Sequence, residues 1–338
     1  MAALPEGLLD TGVWFRVEAA GTAAAARRAA ERLAAELGMP ERRGNDLAIV
    51  VAEAAGNLVK HADQGVLLLR PVRTAEHAGV EIVAIDSGPG MRDVTKAIGD
   101  GHSTTGTLGI GLGAIVRQSG WTDLYSVVGK GTVLVARVWP SAAPDPGWAA
   151  GLTRPMTGEP VSGDAFAIRE VDGHRQIMMC DGLGHGRLAA IAAIEAVRAF
   201  TETTAVPPAA VVEDLHRTLA KTRGAAVAVA ELDRDRARVV YAGLGNITGT
   251  VLAPDGGRRG MVSLPGIAGH QRRQIREYEY PLPPGGVVLM HSDGIVDRWD
   301  PTEYPGLLTH SPQVIAATVL RDAGTRRDDA GVVVARSS

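Results

Sequence analysis

Four aspartate-containing motifs in the C-terminal half place the strongest constraint on how this 338-residue chain can fold. Three of their aspartates adjoin short apolar runs of the kind that form buried strands. Carboxylates at strand ends can be brought together by a sheet, even when they are far apart in the chain. The motifs are Ser162-Gly163-Asp164, Cys180-Asp181-Gly182, His291-Ser292-Asp293-Gly294 and Arg327-Asp328-Asp329.

Carboxylates that lie close together repel one another, so a cluster of them needs cations. Oxygen-rich clusters suit Mg²⁺ or Mn²⁺ rather than zinc, and a pair of such ions can hydrolyse phosphate esters. The alternative is that each Asp-Gly pair only forms a tight turn between strands. A single motif does not distinguish these interpretations, but four of them beside predicted strands favour a metal site.

The bulk properties exclude several classes of protein. A net charge of -3 and an aromatic content of 4% argue against a nucleic-acid-binding surface. One cysteine, Cys180, excludes an internal disulfide and is typical of a reducing compartment. The chain has no apolar stretch of about 18 residues and no secretion signal at its start, so we expect a cytoplasmic protein without a membrane span.

The length suggests two domains, and the composition indicates where they meet. A segment rich in proline and glycine, residues 141–147, follows a predicted strand. We therefore predict domains at 1–140 and 156–338, joined by a linker at 141–155. The first has helices followed by an antiparallel sheet, which predicts a two-layer α+β fold. The second has two helices within a long run of strands, which predicts a β-sandwich flanked by helices.

Polar residues in the first domain form a second candidate site. Glu53, Asn57 and His61 are spaced four residues apart on a predicted helix and share one face; by itself, such a stripe is typical of a solvated face. The turn at 86–90 follows a predicted strand, and the glycine-rich segment 106–113 opens a helix. Free amides at a helix start attract phosphate, although this segment lacks the Gly-Lys-Ser/Thr of a Walker loop.

The order and spacing of these elements, with Gly129-Lys130-Gly131-Thr132 after them, resemble the GHKL ATPases and most closely the RsbT- and RsbW-type serine kinases of sigma-factor regulation. The resemblance covers roughly residues 12–139. It implies that Glu53 orients or deprotonates the substrate serine, and that Asn57 holds Mg²⁺ against the ATP phosphates. It also implies that Asp86 accepts the adenine amino group beside Thr132. The remaining ATP-binding residues would be glycines, Gly88 and Gly90 in the adenine pocket and Gly109, Gly111 and Gly113 in the phosphate lid. For His61 we expect a capping or core role.

The four aspartate motifs, in this order, resemble the metal-dependent PPM-type phosphatases of the SpoIIE and RsbX branch, over roughly residues 156–336. The resemblance implies two Mn²⁺ or Mg²⁺ ions bridged by Asp181, with the Gly182 carbonyl as a further ligand. Asp164 would complete the coordination of one ion, and Asp293 and Asp328 would complete that of the other. A water between the ions would attack phosphoserine or phosphothreonine.

Other residues near these motifs have simpler predicted roles. We expect Asp329 to cap a turn or helix, and His185 to be a turn residue near the site. Cys180 is predicted to be a buried core thiol, because its spacing from Arg187 is wrong for a cysteine phosphatase. The glycine-rich turn 243–246 is predicted to be structural.

Together, the two resemblances imply a bifunctional enzyme of α+β class. An ATP-dependent serine kinase and a metal-dependent phosphatase would act on a STAS-type regulator in sigma-factor partner switching or in stressosome control of the stress response. The alternative is a non-catalytic ATP-binding module that sequesters a partner, fused to an active phosphatase. The presence of Glu53 favours the kinase. The sequence leaves the protein substrate, the input signal and the oligomeric state open.

Overall fold

The computed structural model describes residues 12–74, 77–99, 111–142, 147–272, 274–297 and 299–337. The chain forms two compact units, with the boundary along the chain between residues 146 and 147. This point lies inside the predicted linker, of which 143–146 fall outside the described residues. No helix within the described ranges combines the length and the apolar character needed to cross a bilayer.

The first unit is one antiparallel sheet with helices against it. Its strands are β1 (Val13–Arg16), β2 (Val66–Arg73), β3 (Ala78–Asp86), β4 (Trp121–Val127) and β5 (Gly131–Val138). Its helices are α1 (Ala20–Glu36), α2 (Glu41–His61), α3 (Val94–Ile98) and α4 (Gly111–Gln118). The strand order is β1-β2-β3-β5-β4, and every neighbouring pair is antiparallel.

The core of this unit lies between the sheet and the helices. In α1 the buried residues are Ala26, Ala30 and Ala34, which are four residues apart and therefore line one stripe. Their small side chains let α1 approach α2, whose own buried face includes Leu47 and Val50. Both helices pack on apolar side chains of β2, β3 and β5. The predicted two-layer α+β arrangement is confirmed.

The second unit contains eleven named strands and three α-helices in its described residues. Its strands are β6 (Ala149–Arg154), β7 (Asp164–Val171), β8 (His174–Gly182), β9 (Ala225–Asp233), β10 (Arg238–Leu244), β11 (Thr248–Leu252), β12 (Arg258–Met261), β13 (Ser263–Leu264), β14 (Tyr278–Pro281), β15 (Val287–His291) and β16 (Ala330–Arg336). Its α-helices are α5 (Arg187–Glu202), α6 (Pro208–Leu219) and α7 (Pro312–Ala323), and short 3-10 helices lie at Pro301–Glu303 and Leu307–Thr309.

These strands form two sheets packed face to face. One has the order β13-β10-β9-β8-β7, with β14 also paired to β10, and the other has the order β12-β11-β15-β16-β6. Side chains from both sheets, including Met179, Tyr241 and Val333, form a shared apolar core. Helices α5 and α6 cover the first sheet with a separate core, and α7 packs on β6 and β16 of the second. The predicted β-sandwich flanked by helices is confirmed.

The structure differs from the sequence prediction at the start of this unit. Residues 149–154, which we placed in the linker, form β6 and pair with β16 from Ala149 opposite Ala335 to Arg154 opposite Ala330. The strand is short and rich in alanine and glycine, so it carries no alternating pattern that would identify it. Its ladder with β16 makes it a strand, and that pairing joins segments about 180 residues apart.

Candidate active sites in the two units

The predicted metal ligands come from strand ends in both sheets of the second unit. Asp164 begins β7 and Asp181 lies directly opposite it near the end of β8. Asp293 follows β15, and Asp328 precedes β16, which is the antiparallel neighbour of β15. Asp293 is close enough to Asp181 for their carboxyl groups to form a hydrogen bond. The fold therefore brings these four carboxyl groups to one end of the sandwich.

The protonation of these groups reflects their crowding. Burial first, and then the charges of Asp293 and Asp328, raise the pKa of Asp181 to about 7. Burial and the charge of Asp181 raise the pKa of Asp164 well above its usual value, although a hydrogen bond from Ser292 opposes the change. The pKa of Asp293 is also raised, mainly by burial and by Asp328. Ionising these carboxyl groups therefore costs free energy, and a nearby cation would lower that cost.

Two polar residues to which the sequence analysis gave no role in the site support this cluster. The fully buried Ser292 donates from Oγ to Oδ2 of Asp164 at 2.5 Å and accepts the backbone N–H of Gly331 at 2.9 Å. Asn246 donates from Nδ2 to Oδ2 of Asp293 at 2.8 Å. The turn at 243–246, which we predicted to be structural, thus also reaches the site. Neither residue carries a local pattern that would reveal its role, because each contact joins segments that are far apart in the chain.

Asp329 accepts backbone N–H groups, as a cap would, but those groups belong to a segment far away in the chain. It is buried, and its two carboxyl oxygens accept the backbone N–H groups of Met156 and Gly163, each at 2.8 Å. These bonds tie the segment before β7 to the start of β16. Because Asp329 is occupied in this way, its neighbour Asp328, which is exposed, is the residue of the pair available to a ligand.

The loop between β8 and α5 carries the remaining residues of the motif. Gly182 is buried at the end of β8. His185 is exposed, and its Nδ1 lies 2.9 Å from Oε1 of Glu159, a residue of the segment before β7. This contact links two loops beside the aspartate cluster, and it agrees with a turn residue near the site.

Cys180 lies next to Asp181 but has the environment of a core residue. It is fully buried within the core under α5 and α6. Burial, and then the charges of Asp181 and Asp164, raise the pKa of its thiol well above the usual value. Because the thiolate is the nucleophilic form, this cysteine is unsuited to attack a phosphate ester.

The aspartate cluster fits an oxygen-ligated divalent cation by its chemistry. Its side-chain donors are carboxylate oxygens, which suit Mg²⁺ or Mn²⁺, and their mutual repulsion favours a bound positive charge. Within the described ranges, no three or more His, Cys, Asp or Glu side chains already have the geometry of a metal-binding group. The fit therefore comes from the donor set and its charge, and not from preformed coordination.

The predicted catalytic residues of the first unit lie where α2 meets α4. A β-carbon on Gly111, the first residue of α4, would be 3.0 Å from Oε2 of Glu53 and 3.4 Å from Oδ1 of Asn57. Both polar side chains are thus directed at the start of α4, and a glycine there leaves room for them. The predicted lid residue Gly109 belongs to the segment 100–110, which lies outside the described residues.

The predicted adenine-binding residues lie side by side where β3 ends and β5 begins. Asp86 ends β3, and its Oδ1 accepts the backbone N–H of Gly88 at 2.8 Å. Thr132 lies opposite Asp86 in the β3–β5 pair. Gly131 has φ +91, and a β-carbon there would be 2.0 Å from the carbonyl oxygen of Asp86. Only glycine permits this approach, which holds Thr132 beside Asp86.

The other predicted residues of this site are also placed near it or in its supporting elements. Gly90 lies in the loop after β3, next to the backbone of Val127. Gly113 is buried within α4. His61 is the exposed last residue of α2, and its carbonyl oxygen faces Gly88. The backbone of His61 therefore lies beside the adenine loop.

Comparisons with known proteins agree with this division. The family model described as a histidine kinase-like ATPase domain matches residues 15–138, and that of Stage II sporulation protein E (SpoIIE) matches residues 172–338. Serine/threonine-protein kinase RsbT of Bacillus subtilis (strain 168) is 35% identical over 115 residues, which are 34% of this chain and 86% of the relative.

Solved structures are similar as well. A chain from work on the bacterial stressosome, described as a modular system that has been adapted to control secondary messenger signaling, is 30% identical. The match covers 56% of this chain and 98% of that one, with a TM-score of 0.50. RsbX in complex with magnesium is 17% identical, and the match covers 56% of this chain and 94% of that one with a TM-score of 0.45.

The two family matches fall on the two compact units, each of which contains one of the clusters described above. The RsbT relative is similar over most of its own length. The chain therefore belongs to the RsbT family of serine/threonine kinases through its N-terminal, histidine kinase-like ATPase domain, which is followed by a SpoIIE-type PPM phosphatase domain.

Proposed function

We propose that this protein is a bifunctional, cytoplasmic signalling enzyme whose two domains act in opposition on one protein. The first domain, 1–140, phosphorylates a serine of a STAS-domain regulator with ATP and Mg²⁺. The second, 156–338, removes phosphate from the phosphorylated serine or threonine with two Mn²⁺ or Mg²⁺ ions. The ratio of the two rates sets how much of the regulator is phosphorylated, which is the quantity that partner switching requires.

One observation carries the proposal for the kinase. Glu53 and Asn57 are both present, and both approach the first residue of α4. A site that only held nucleotide would need the Mg²⁺-binding asparagine but no carboxylate beside it. In the proposed reaction, Glu53 accepts or orients the proton of the substrate hydroxyl. Glu53 is half-buried, so it remains accessible to a serine side chain.

For the phosphatase, support comes from the convergent carboxyl groups and their raised pKa values. When bound, the ions supply an activated water for attack on phosphorus. Asp181, near the end of β8, would bridge them, with the Gly182 carbonyl, Asp164, Asp293 and Asp328 as the other ligands. Ser292 donates a hydrogen bond to the Asp164 carboxyl group and so fixes its orientation, as hydrogen-bonding partners of metal ligands do.

The test uses a purified STAS-domain regulator, ATP, Mg²⁺ and Mn²⁺, with the phosphorylated fraction measured on phosphate-affinity gels. Asp181→Asn should leave the regulator highly phosphorylated, and Glu53→Ala should leave it unphosphorylated. The wild-type protein should give an intermediate level. Matched controls are Glu36→Ala on the exposed side of α1 and Asp235→Asn in the β9–β10 turn, since both residues are exposed and lie outside the two sites. Both should behave as wild type.

The same experiment separates the proposal from its alternative. If the Asp181→Asn protein binds the regulator but never phosphorylates it, the N-terminal domain is a sequestering module and the kinase proposal is wrong. If wild-type protein dephosphorylates a prephosphorylated regulator equally well in excess EDTA, the metal-dependent mechanism is wrong.

A further inference from the structure

Three polar side chains form a row across adjacent strands of the first unit. Ser126 in β4 lies opposite Thr132 in β5, and Thr132 lies opposite Asp86 in β3. Alternation along the strands puts this row on the same face as Ala84 and Leu134, which belong to the core against the helices. The face that packs against the helices thus becomes polar at one end, where the adenine base is proposed to bind.

The hydrogen bonds of Ser126 determine which way its neighbour donates. Its Oγ accepts the backbone N–H of Met91 at 2.8 Å and donates to the carbonyl oxygen of Gly131 at 3.1 Å. Its Oγ also lies 3.0 Å from Oγ1 of Thr132. A serine hydroxyl has one proton, and a carbonyl oxygen can only accept. With the Ser126 proton on the Gly131 carbonyl oxygen, the bond between the two hydroxyls uses the proton of Thr132.

This arrangement has a consequence for a bound base. With its proton directed at Ser126, Thr132 has only lone pairs left for a ligand. Asp86, beside it, is a carboxylate and also accepts. The pocket therefore presents acceptors at neighbouring positions, so it matches a donor on the base.

We propose that Ser126 makes this pocket selective for adenine over guanine, because it orients the Thr132 hydroxyl so that Thr132 acts with Asp86 as an acceptor. Adenine has an amino group at position 6, which donates to such a pair directly or through one water. In the proposed site, position 6 of the base lies at Asp86 and Thr132. Guanine has a carbonyl oxygen at that position, which would face acceptors with no proton between them. The inference rests on the proposed ATP site and adds a positioning residue and the direction of base selectivity.

Ser126 also has a structural contact that must be separated from this role. By accepting the Met91 N–H it ties the loop after β3 to β4. Loss of that tie alone would weaken ATP and GTP binding by the same factor. Loss of Thr132 orientation would instead change the ratio of the two affinities, because the freed hydroxyl could rotate and donate to guanine.

The test is titration calorimetry of the full chain with MgATP and with MgGTP. For Ser126→Ala, we expect ATP binding to weaken about three- to tenfold, with GTP binding unchanged or tighter, since one neutral hydrogen bond is at stake. Ser126→Thr retains the hydroxyl and should retain the selectivity of wild type. In a Thr132→Val background, Ser126→Ala should no longer change the ratio, because the group that it orients is absent.

Equal weakening of ATP and GTP by Ser126→Ala would overturn the inference and leave Ser126 with the loop contact alone. A ratio that still changes in the Thr132→Val background would overturn it as well. Thermal unfolding of each variant without nucleotide identifies loss of fold, and the conservative Ser126→Thr and Thr132→Val proteins then provide the comparison. If wild-type protein binds neither nucleotide, the proposed ATP site itself is wrong, which is a different result from a change in selectivity.

Discussion

A buried ionic row in the central strands of the first unit yields a quantitative prediction. Glu81 in β3 lies between Arg70 in β2 and Arg137 in β5, in register with both. Its Oε1 accepts from Arg70 at 2.7 Å, and its Oε2 accepts from Arg137 at 2.8 Å. Glu81 is fully buried, and the two arginines are nearly so. Replacing Glu81 with glutamine removes the carboxylate charge while keeping the shape of the side chain.

The expected cost follows from that burial. Breaking a buried ion pair by removing the charge of one partner costs about 3–5 kcal/mol, because the other charge remains buried without compensation. Domains are stable by only about 5–15 kcal/mol, so Glu81→Gln should remove a large part of the stability of the first unit. Hydrogen exchange followed by mass spectrometry should show loss of protection in β2, β3 and β5. Peptides from β8, in the second unit, provide the internal comparison.

The matched control is Glu31→Gln, which removes the carboxylate of an exposed pair with Arg27. Exposed pairs contribute little, so protection should change far less than in Glu81→Gln. If Glu81→Gln changes the free energy of unfolding of the first unit by less than about 1 kcal/mol, the argument from burial is wrong.

The Glu81 carboxyl group should also make the stability of the first unit depend on acid. Burial alone would raise the pKa of Glu81, but the charges and hydrogen bonds of Arg70 and Arg137 outweigh it and lower the pKa below its ordinary value of 4.5. A carboxyl group with a lowered pKa stabilises the fold fully above its unfolded value. That contribution is lost as pH falls through the folded value. Protection in β3 should therefore decline below pH 4.5 in wild type, and Glu81→Gln should lack this component of the decline.

Three further predictions concern the two sites. Phosphatase activity on a phosphoserine peptide should disappear in excess EDTA and return with Mn²⁺ or Mg²⁺. The Asp181→Asn protein should remain inactive after metal is restored, and its melting temperature should stay near that of wild type. Ser292→Ala should weaken metal affinity by about 10- to 100-fold, since it removes a hydrogen bond to the predicted ligand Asp164; an unchanged metal titration of activity would contradict this role. Asp86→Ala should weaken ATP binding by about 1.5–3 kcal/mol, as expected for a hydrogen bond to a charged group, and calorimetry that gives equal ATP affinity before and after the change would exclude Asp86 from the adenine pocket.

Much of the fold could be predicted from local patterns. The apolar face of α2 and its end at His61 follow from helical spacing, and Gly38 after α1 has φ +64, as expected for a glycine that ends a helix. The apolar run in β5 and the glycines at 129 and 131 likewise identified a hairpin. These features depend on neighbours within a few residues, so the sequence carries them directly. The prediction was wrong at β6, whose strand character comes from its ladder with β16.

For the candidate sites, the sequence by itself determined which residue types were available, because carboxylates beside apolar runs and glycines at a helix start have chemistry that does not depend on the fold. The tertiary structure decided which of them meet. It gave Asp329 two backbone N–H groups as partners and left Asp328 exposed; the different roles that we expected for the two aspartates came from the family resemblance, since the residue types alone are the same. It also brought Ser292 to Asp164, a residue 128 positions away. The physical reason is that hydrogen bonds and charges act over a few ångströms of space, whereas sequence patterns report only on neighbours along the chain.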